Sequence, residues 1–128
     1  MNKWLLDVSA LLASFKPEPG AEEVDKAIYN EAWISTVNWS ETLAKLVEIG
    51  IPLPEAREAL DDLPLVIAPF EKNHAELCAE FRQPIRNLGL SLGDRACLAT
   101  AKLQGLPVMT AERSWAKLDL GIEIRVIR

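Results

Sequence analysis

The chain has 128 residues, of which 49% are hydrophobic and 26% are charged, the balance of a soluble globular protein with a hydrophobic core. This length predicts one domain over residues 1–128, with a core large enough to fold without disulfide bonds or a structural metal. The formal net charge of −5 excludes a protein that coats nucleic acid by bulk electrostatic attraction, although it permits an enzyme that acts on nucleic acid at a local site.

Cysteine content and the N-terminal segment both predict a cytoplasmic protein. Cys78 and Cys97 lie in apolar, helix-like surroundings and are expected to be reduced thiols in the core. The apolar run within residues 1–15 is interrupted by Asp7 and has no A-x-A-like cleavage site, so it is not predicted to be a signal peptide. No stretch approaches the ~18 apolar residues of a membrane span.

The first part of the chain alternates short apolar segments with amphipathic ones. KWLLDV (3–8) is a strand candidate, and SALLASF (9–15) predicts a short helix. AEEVDKAIYN (21–30) has apolar residues at a helical spacing. AWISTV (32–37) is short and contains β-branched residues, which favours a second strand. NWSETLAKLVEIG (38–50) has the polar start and the terminal glycine of a helix.

The same alternation continues along the chain. PLPEAREALDDL (52–63) begins with proline near its first turn and predicts a helix, and PLVIAP (64–69) predicts a third strand. Residues 71–89 have a helical period, with Pro84 as the expected kink or break. SLGDRACLATAKLQG (91–105) predicts a helix rich in small residues that ends at a glycine.

Two further strands, at 106–111 and 122–127, complete the pattern. Strands separated by helices along the whole chain imply βαβ units and a mainly parallel sheet. The predicted fold class is therefore α/β, a three-layer α/β/α arrangement around a central, mainly parallel sheet of about five strands.

Four acidic residues are predicted to lie at one edge of this sheet. Asp7 follows the first strand, Glu41 is expected in the first turn of the helix after the second strand, and Glu112 follows the fourth strand. Asp94 lies at the start of the helix that leads into the fourth strand, and because that helix runs antiparallel to the strand, its N-terminus lies at the carboxyl edge. Ligand sites of open parallel sheets form beyond this edge.

Each of these acids also has a local structural explanation. Asp7 can cap the helix that follows it, and Glu41 can complement a helix dipole. Asp94 can complete a capping box with the serine three residues before it. Glu112 can cap the short turn that follows it or pair with Arg113. Taken singly, the four acids do not establish a functional site.

Convergence of the four carboxylates indicates a cation site. Two carboxylates ~5 Å apart repel by roughly 3 kcal/mol at an effective dielectric of ~20, so such a cluster persists where cations or raised pKa values relieve it. Mg²⁺ binds through one or two carboxylates, waters and substrate phosphates, and such ions activate water against a phosphodiester. The acids thus predict an Mg²⁺- or Mn²⁺-dependent nuclease. The sole histidine, His74, is predicted to be a surface or half-buried helix residue.

Four segments together resemble the PIN-domain ribonucleases of the VapC toxin type, in the right order and over nearly the whole chain. They are LLDVSALLA (5–13), STVNWSETLAKL (35–46), LSLGDRACLATAKLQGLPVMTAERSW (90–115) and IEIRVIR (122–128). The resemblance implies a metal-dependent endoribonuclease, the toxin of a type II toxin–antitoxin system. It also implies a homodimer and a small cognate antitoxin that holds the enzyme inactive.

The resemblance assigns roles to the four acids. Asp7 and Asp94 match the metal-binding aspartates of the family and are expected to hold the essential ion, while Glu41 would share that ion or orient a water. Water would then attack the RNA phosphodiester. Glu112 stands where the family more often has aspartate, so its longer side chain is expected to reach the ion directly or through a water.

Further residues have weaker predicted roles. Ser9 matches a hydroxyl residue that supports the family's site, and Thr110 and Arg113 are candidates for contacts with the ligands or with phosphate. Trp39 and Trp115 could stack on bases, with packing, or a dimer or antitoxin surface, the preferred role of Trp115.

Two other functions fit parts of the sequence. A phosphatase-like α/β enzyme would use Asp7 as its nucleophile, but no late lysine is convincingly placed to assist it. A non-catalytic PIN-like binding module would be expected to lose Asp7 or Asp94, and both are present. GLSLG (89–93) matches the nucleophile elbow G-x-S-x-G, but a predicted helix precedes it and no histidine follows it, so an esterase-type triad is rejected.

Overall fold

The computed structural model describes residues 3–16, 18–85 and 88–128. The described residues form a five-stranded parallel sheet in the spatial order β3-β2-β1-β4-β5. The strands are β1 (Leu5–Leu6), β2 (Trp33–Ser35), β3 (Val66–Ala68), β4 (Val108–Thr110) and β5 (Ile124–Val126). The α/β prediction is confirmed, and each predicted strand is present but shorter than its apolar segment.

Helices connect all but the last pair of strands. They are α1 (Val8–Phe15), α2 (Ala21–Tyr29), α3 (Thr36–Glu48), α4 (Leu53–Asp61), α5 (Lys72–Glu80), α6 (Arg82–Ile85) and α7 (Leu92–Gln104). A 3₁₀ helix (Arg113–Lys117) lies between β4 and β5. Within the described ranges, no helix has both the length and the apolar composition needed to cross a membrane.

The central strand β1 is buried on both faces of the sheet. Leu5 is level with Trp33 and Val108, and Leu6 is level with Met109. Because successive side chains point to opposite faces, Leu5 and Val108 pack with α5 and α7, whereas Leu6 and Met109 pack with α1 to α4. Two hydrophobic clusters, one on each face, produce the three layers.

The order of the strands defines where a ligand site can form. The chain runs outward from β1 through β2 to β3, and then crosses to β4 and β5 on the other side of β1. The direction therefore reverses between β1 and β4. In open α/β sheets, the crevice beyond the carboxyl ends of the strands at such a reversal is where ligands bind.

The prediction of a helix over 71–89 with a kink or break at Pro84 is wrong in where the helix is interrupted. It divides into α5 and α6, with the break at Phe81, and residues 86 and 87 lie outside the described part of the chain. Pro84 accounts for a break in this region, because proline has no N–H to donate to the carbonyl four residues before it, which is that of Glu80. The helix is thus interrupted one turn before the proline.

The two cysteines and the histidine all lie inside the protein. Cys78 and Cys97 are buried free thiols, as predicted. The expectation that His74 is surface or half-buried is wrong, since the residue is 3% exposed. Its Nδ1 accepts a hydrogen bond from the N–H of Glu71 and so helps to cap α5, while its ring packs 5.8 Å from that of Phe70. A polar residue near a helix N-terminus can thus be buried when it serves as the cap.

The C-terminal end of β5 is fitted closely against the start of α2. The N–H of Ile127 donates to the carbonyl of Thr110, which continues the pairing of β5 with β4. A Cβ added at Gly20 would lie 2.6 Å from the carbonyl oxygen of Ile127, and the backbone at Gly20 has φ +93°. This contact fixes the chain that follows β5, next to the carboxyl end of β4.

Gly20→Ala is expected to lower the free energy of unfolding by about 1–3 kcal/mol more than Gly50→Ala. Both positions have positive φ, but Gly50 has no atom within 4 Å of the added Cβ, so the second substitution measures the cost of the backbone conformation alone. The excess reports overpacking against Ile127. Urea denaturation of the two variants checks this, and equal losses of stability would contradict the described contact.

Candidate active site

Asp7 lies where β1 ends and α1 begins. Its side chain is buried, with the residue 4% exposed, and its Oδ1 accepts a hydrogen bond of 2.8 Å from the N–H of Ala10. The predicted N-cap of the first helix is therefore present. Since β1 borders the reversal in strand order, the same residue also stands at the expected ligand crevice.

Hydroxyl groups join Asp7 to the carboxyl end of β4. Thr110 Oγ1 donates to Asp7 Oδ2 at 2.6 Å, and Ser9 Oγ lies 2.8 and 2.9 Å from the two carboxylate oxygens. Each hydroxyl in turn accepts a backbone N–H, that of Ala111 for Ser9 and that of Glu112 for Thr110. The backbone leaving β4 is thus held against the Asp7 carboxylate through two hydroxyl side chains.

Burial raises the pKa of Asp7 to about 6, above the ordinary value of 3.8. Hydrogen bonds from Thr110, Ala10 and Ser9 favour the charged form and oppose this rise, while the negative charge of Asp94 adds to it. Loss of hydration is therefore the largest contribution, and the neighbouring carboxylate is a smaller one. Asp94 is therefore close enough to Asp7 for its negative charge to raise the pKa of Asp7.

Asp94 lies in the first turn of α7, at the same edge of the sheet. The N–H of Ser91 donates to Asp94 Oδ2 at 3.0 Å, and the N–H of Asp94 donates to Ser91 Oγ at 3.1 Å. The predicted capping box is therefore present. It engages Oδ2, while Oδ1 has no hydrogen-bond partner among the residues that the structure describes.

Glu41 lies in the second turn of α3, not in its first turn as predicted. Ser35 caps this helix by accepting the N–H of Val37, so α3 begins at Thr36, two residues earlier than expected. The carboxylate nevertheless reaches the start of α7, where it lies against the backbone of Gly93: a Cβ added there would overlap both carboxylate oxygens.

Asn38 was not identified from the sequence. It is 1% exposed, and its Nδ2 donates to Glu41 Oε1 at 2.8 Å and to the carbonyl of Gly93 at 3.1 Å. The available signal was its position three residues before an acid in the same helix, a spacing that brings two side chains to one face. An asparagine near a helix start is ordinarily explained by capping, which conceals such a role.

The charges of three of the four acids reach one buried thiol. Burial raises the pKa of Cys97 well above its usual range, and the negative charges of Asp7, Asp94 and Glu41 raise it further. Cys97 therefore lies near the point where the end of β1, α3 and α7 bring their carboxylates together. The fold therefore brings these three side chains close together.

Glu112 differs from the other three acids in its exposure. It precedes the 3₁₀ helix without a side-chain cap bond, it is exposed, and its charge is not among those that act on Cys97. Its backbone N–H is tied to Thr110, so it is linked to Asp7 through a hydroxyl. Arg113 is exposed and is not among the residues that line the cleft described next.

A cleft of about 690 Å³ opens above the acids. All four carboxylates line it, together with two further acids, Glu18 and Glu48, and with apolar residues and cations. The apolar lining includes Leu12, Phe15, Ile49 and Ile51, and the cations are Lys16, Lys45 and Arg128. The lining therefore mixes charged and apolar groups, and we call its four converging carboxylates the acidic floor of the cleft.

Trp39 and Trp115, the two candidates for stacking on bases, do not line this cleft. Trp115 is 1% exposed and packs in the hydrophobic cluster on the α5–α7 face, so its preferred packing role is confirmed and a surface role is not. Trp39 is partly buried against the cluster on the other face. Neither side chain lines the cleft.

The set of side chains that could bind a metal here suits a hard divalent cation, which prefers oxygen ligands. It consists of carboxylate oxygens, among them Asp94 Oδ1, which the capping box does not engage. The buried Oδ1 of Asn38 adds an acceptor without a partner among the described residues. Among the described residues, no three His, Cys, Asp or Glu side chains are close enough together to form a cage for an ion. Mg²⁺ does not require one, since it binds through one or two carboxylates and keeps several waters.

In EDTA, the free energy of unfolding of Asp7→Asn relative to that of the native protein should rise by about 2 kcal/mol between pH 4.5 and pH 7.5. The folded-state pKa of Asp7 is about 6 and the unfolded one 3.8, so folding binds a proton more tightly. The stabilisation from this group is complete below pH 3.8 and is lost as pH rises through 6, about 3 kcal/mol in all. Asn at this position does not titrate.

Urea denaturation at the two pH values measures this difference. Asp25→Asn, at an exposed position of α2, accounts for the general effect of removing one negative charge. A difference between Asp7→Asn and the native protein that stays constant, or shrinks, as pH rises would show that Asp7 is not held in a charge-disfavouring site.

Comparison with known proteins places this arrangement in a family. The PIN domain family model matches residues 4–120. A comparison with curated protein sequences gives no match. Among solved structures, a toxin-antitoxin complex from Klebsiella pneumoniae has a chain with 25% identity and a TM-score of 0.73, with 90% of this chain and 92% of that chain covered.

Two more distant structures share the fold. The DNA-bound VapBC from Salmonella typhimurium has 19% identity and a TM-score of 0.72, with 98% of each chain covered. VapBC2 from Rickettsia felis, bound to a DNA fragment from its promoter, has 14% identity and a TM-score of 0.74, with 95% of this chain and 96% of that chain covered. The chain therefore belongs to the PIN domain family and has the fold of the VapC-type toxins.

Proposed function

We propose that this protein is a metal-dependent endoribonuclease, the toxin of a type II toxin–antitoxin pair, which hydrolyses RNA phosphodiester bonds with Mg²⁺ or Mn²⁺. Membership of the PIN domain family and likeness to toxin-antitoxin structures support a toxin nuclease. Residues 1–128 would form one PIN-like nuclease domain. The finer assignment, to RNA and to a divalent cation, rests on the chemistry of the cleft.

The observation that carries this proposal is the convergence of Asp7, Glu41 and Asp94 at the reversal in strand order. Asp7 follows β1, the other two acids lie in α3 and α7, and all three line the same cleft. Such crowding is unfavourable without a cation. A phosphodiester, which is itself anionic, needs the same cation to approach this floor.

The residues of the cleft would have different roles in the proposed reaction. Asp7 and Asp94 would hold the cation, and Glu41 would share it or orient a water. A bound divalent cation supplies an activated water and neutralises charge on the phosphate and the leaving oxygen. Ser9 and Thr110 keep the Asp7 carboxylate in place through their hydroxyl groups. Glu112, at the margin, would act through a water.

The geometry disfavours the phosphatase-like alternative. Both oxygens of Asp7 accept hydrogen bonds, Oδ1 from Ala10 and Ser9 and Oδ2 from Thr110 and Ser9. A nucleophilic oxygen needs a free approach to phosphorus, and this carboxylate is 4% exposed. Its surroundings suit a fixed ligand. A non-catalytic binding module remains the competing function that the first experiment below separates from a nuclease.

The proposed partners follow from the same likeness. The solved neighbours are toxin-antitoxin complexes, and we propose that a small cognate antitoxin covers this protein in the cytoplasm until it is released. The active form would be a homodimer. The apolar part of the cleft margin, with Phe15 and Ile49 exposed, is consistent with a site that is covered in one state and open in another.

Asp94→Asn is expected to abolish RNA cleavage without unfolding the protein. Asparagine keeps an acceptor for the N–H of Ser91, so α7 remains capped, but it removes the charge that attracts a cation. Cleavage of RNA with Mn²⁺, and growth arrest on expression in bacteria, are the measurements. Asp119→Asn, an exposed acid outside the cleft, is the control and should behave as the native protein does.

Two outcomes would contradict the proposed function. Undiminished cleavage in excess EDTA would exclude a metal-dependent mechanism. Native protein that binds RNA but leaves it intact with every divalent cation tested would instead favour the non-catalytic binding module.

Glu112→Gln is expected to reduce the rate of cleavage less than Asp94→Asn does. Glu112 is exposed and is linked to Asp7 only through the Thr110 hydroxyl, so a neutral amide of the same length can still orient a water. The rate at saturating Mn²⁺ is the measurement. A loss as complete as that of Asp94→Asn would place Glu112 among the direct ligands.

A further inference from the structure

Asn38 joins two helices at the acidic floor of the cleft. Its Nδ2 donates to the Glu41 carboxylate in its own helix, α3, and to the carbonyl of Gly93 in the first turn of α7. Gly93 directly precedes Asp94. One amide group therefore ties the side chain of one acid to the backbone that carries another.

The orientation of this amide is determined by its neighbours. Both atoms that Nδ2 contacts, Glu41 Oε1 and Gly93 O, are acceptors, so the nitrogen and not the oxygen has to face them. Oδ1 is then left buried without a partner among the described residues. Because an unpaired buried acceptor lowers stability, the retention of asparagine here is not explained by stability alone.

Gly93, in the first turn of α7, leaves space for the Glu41 carboxylate. A Cβ at this position would overlap the Glu41 carboxylate, whereas glycine allows that carboxylate to lie against the helix backbone. Glycine inside a helix is less stable than alanine. Two residues on different helices thus each lower stability, and both allow the Glu41 carboxylate to lie beside Asp94.

We propose that Asn38 and Gly93 are positioning residues for Glu41, Asn38 by drawing its carboxylate toward α7 and Gly93 by leaving room for it. This inference rests on the proposed function, because Glu41 is positioned for a divalent cation that it would share with Asp7 and Asp94. The alternative is that Asn38 merely fastens α3 to α7.

The test is calorimetric titration with Mn²⁺ of native protein and of Asn38→Ala, Gly93→Ala and Glu41→Gln. Removing the partner of a metal ligand typically costs 10- to 100-fold in metal affinity, so Asn38→Ala and Gly93→Ala should each lose about 10-fold or more. Gly93→Ala should do so with an unchanged or higher thermal midpoint in EDTA, since the flexible end of Glu41 can move and alanine favours the helix.

Thr42→Val is the matched control on the same helix. Thr42 is fully buried, and its hydroxyl donates to the carbonyl of Asn38 at 2.8 Å without reaching Glu41. This variant should lower the thermal midpoint and keep the native Mn²⁺ affinity. A residue that only fastens the helices would instead change stability without a change in metal affinity, as this control does.

A double substitution identifies the route of the effect. In a Glu41→Ala background, Asn38→Ala should cause no further loss of Mn²⁺ affinity, because it acts through Glu41. Native affinity in both Asn38→Ala and Gly93→Ala, or an equal further loss in the Glu41→Ala background, would overturn the positioning role. Failure of the native protein to bind Mn²⁺ would overturn the proposed function as well, which distinguishes the two failures.

Discussion

A carboxylate buried at the centre of the sheet is the constraint on which the site depends. Asp7 is placed where β1 ends, and the cost of burying it is offset by three donors from two elements: the start of α1 and the end of β4. These donors determine where the chain leaves β4 and therefore where Glu112 can stand. Asp94 then adds a negative charge near a carboxylate that is already poorly hydrated, which raises the pKa of Asp7 further.

Local contacts within and between helices hold the other two acids in place. Asp94 is held by its capping box, and Glu41 by Asn38 and the gap at Gly93. Each interaction that fixes an acid is also a contact that begins a helix or joins two helices. Structural and functional explanations of these residues are therefore not alternatives, and the capping roles of Asp7 and Asp94 coexist with their proposed role as ligands.

The sequence could predict the acids that are fixed by strand ends and helix starts. Asp7 and Asp94 follow local signals, an apolar run followed by an acid and a serine three residues before an acid, so their edge of the sheet followed from the α/β pattern. Glu41 was placed one turn too early, because the β-branched run over 32–37 conceals the cap at Ser35. Asn38 was missed because its partner, Gly93, is 55 residues away, and such a contact has no local signal.

The hydrogen bond between Asp7 and Thr110 spans 103 residues, which has a consequence for synthesis of the chain. Asp7 leaves the ribosome early. Until β4 follows it, the central strand β1 lacks one of its neighbours. The Asp7 carboxylate then lacks its donor Thr110, and the Ser9 hydroxyl lacks the N–H of Ala111 that it accepts. Domains form as units once their elements are available. A nascent chain that has not reached β4 therefore carries Asp7, Glu41 and Asp94, but it lacks Glu112 and the contacts that hold the Asp7 carboxylate in place.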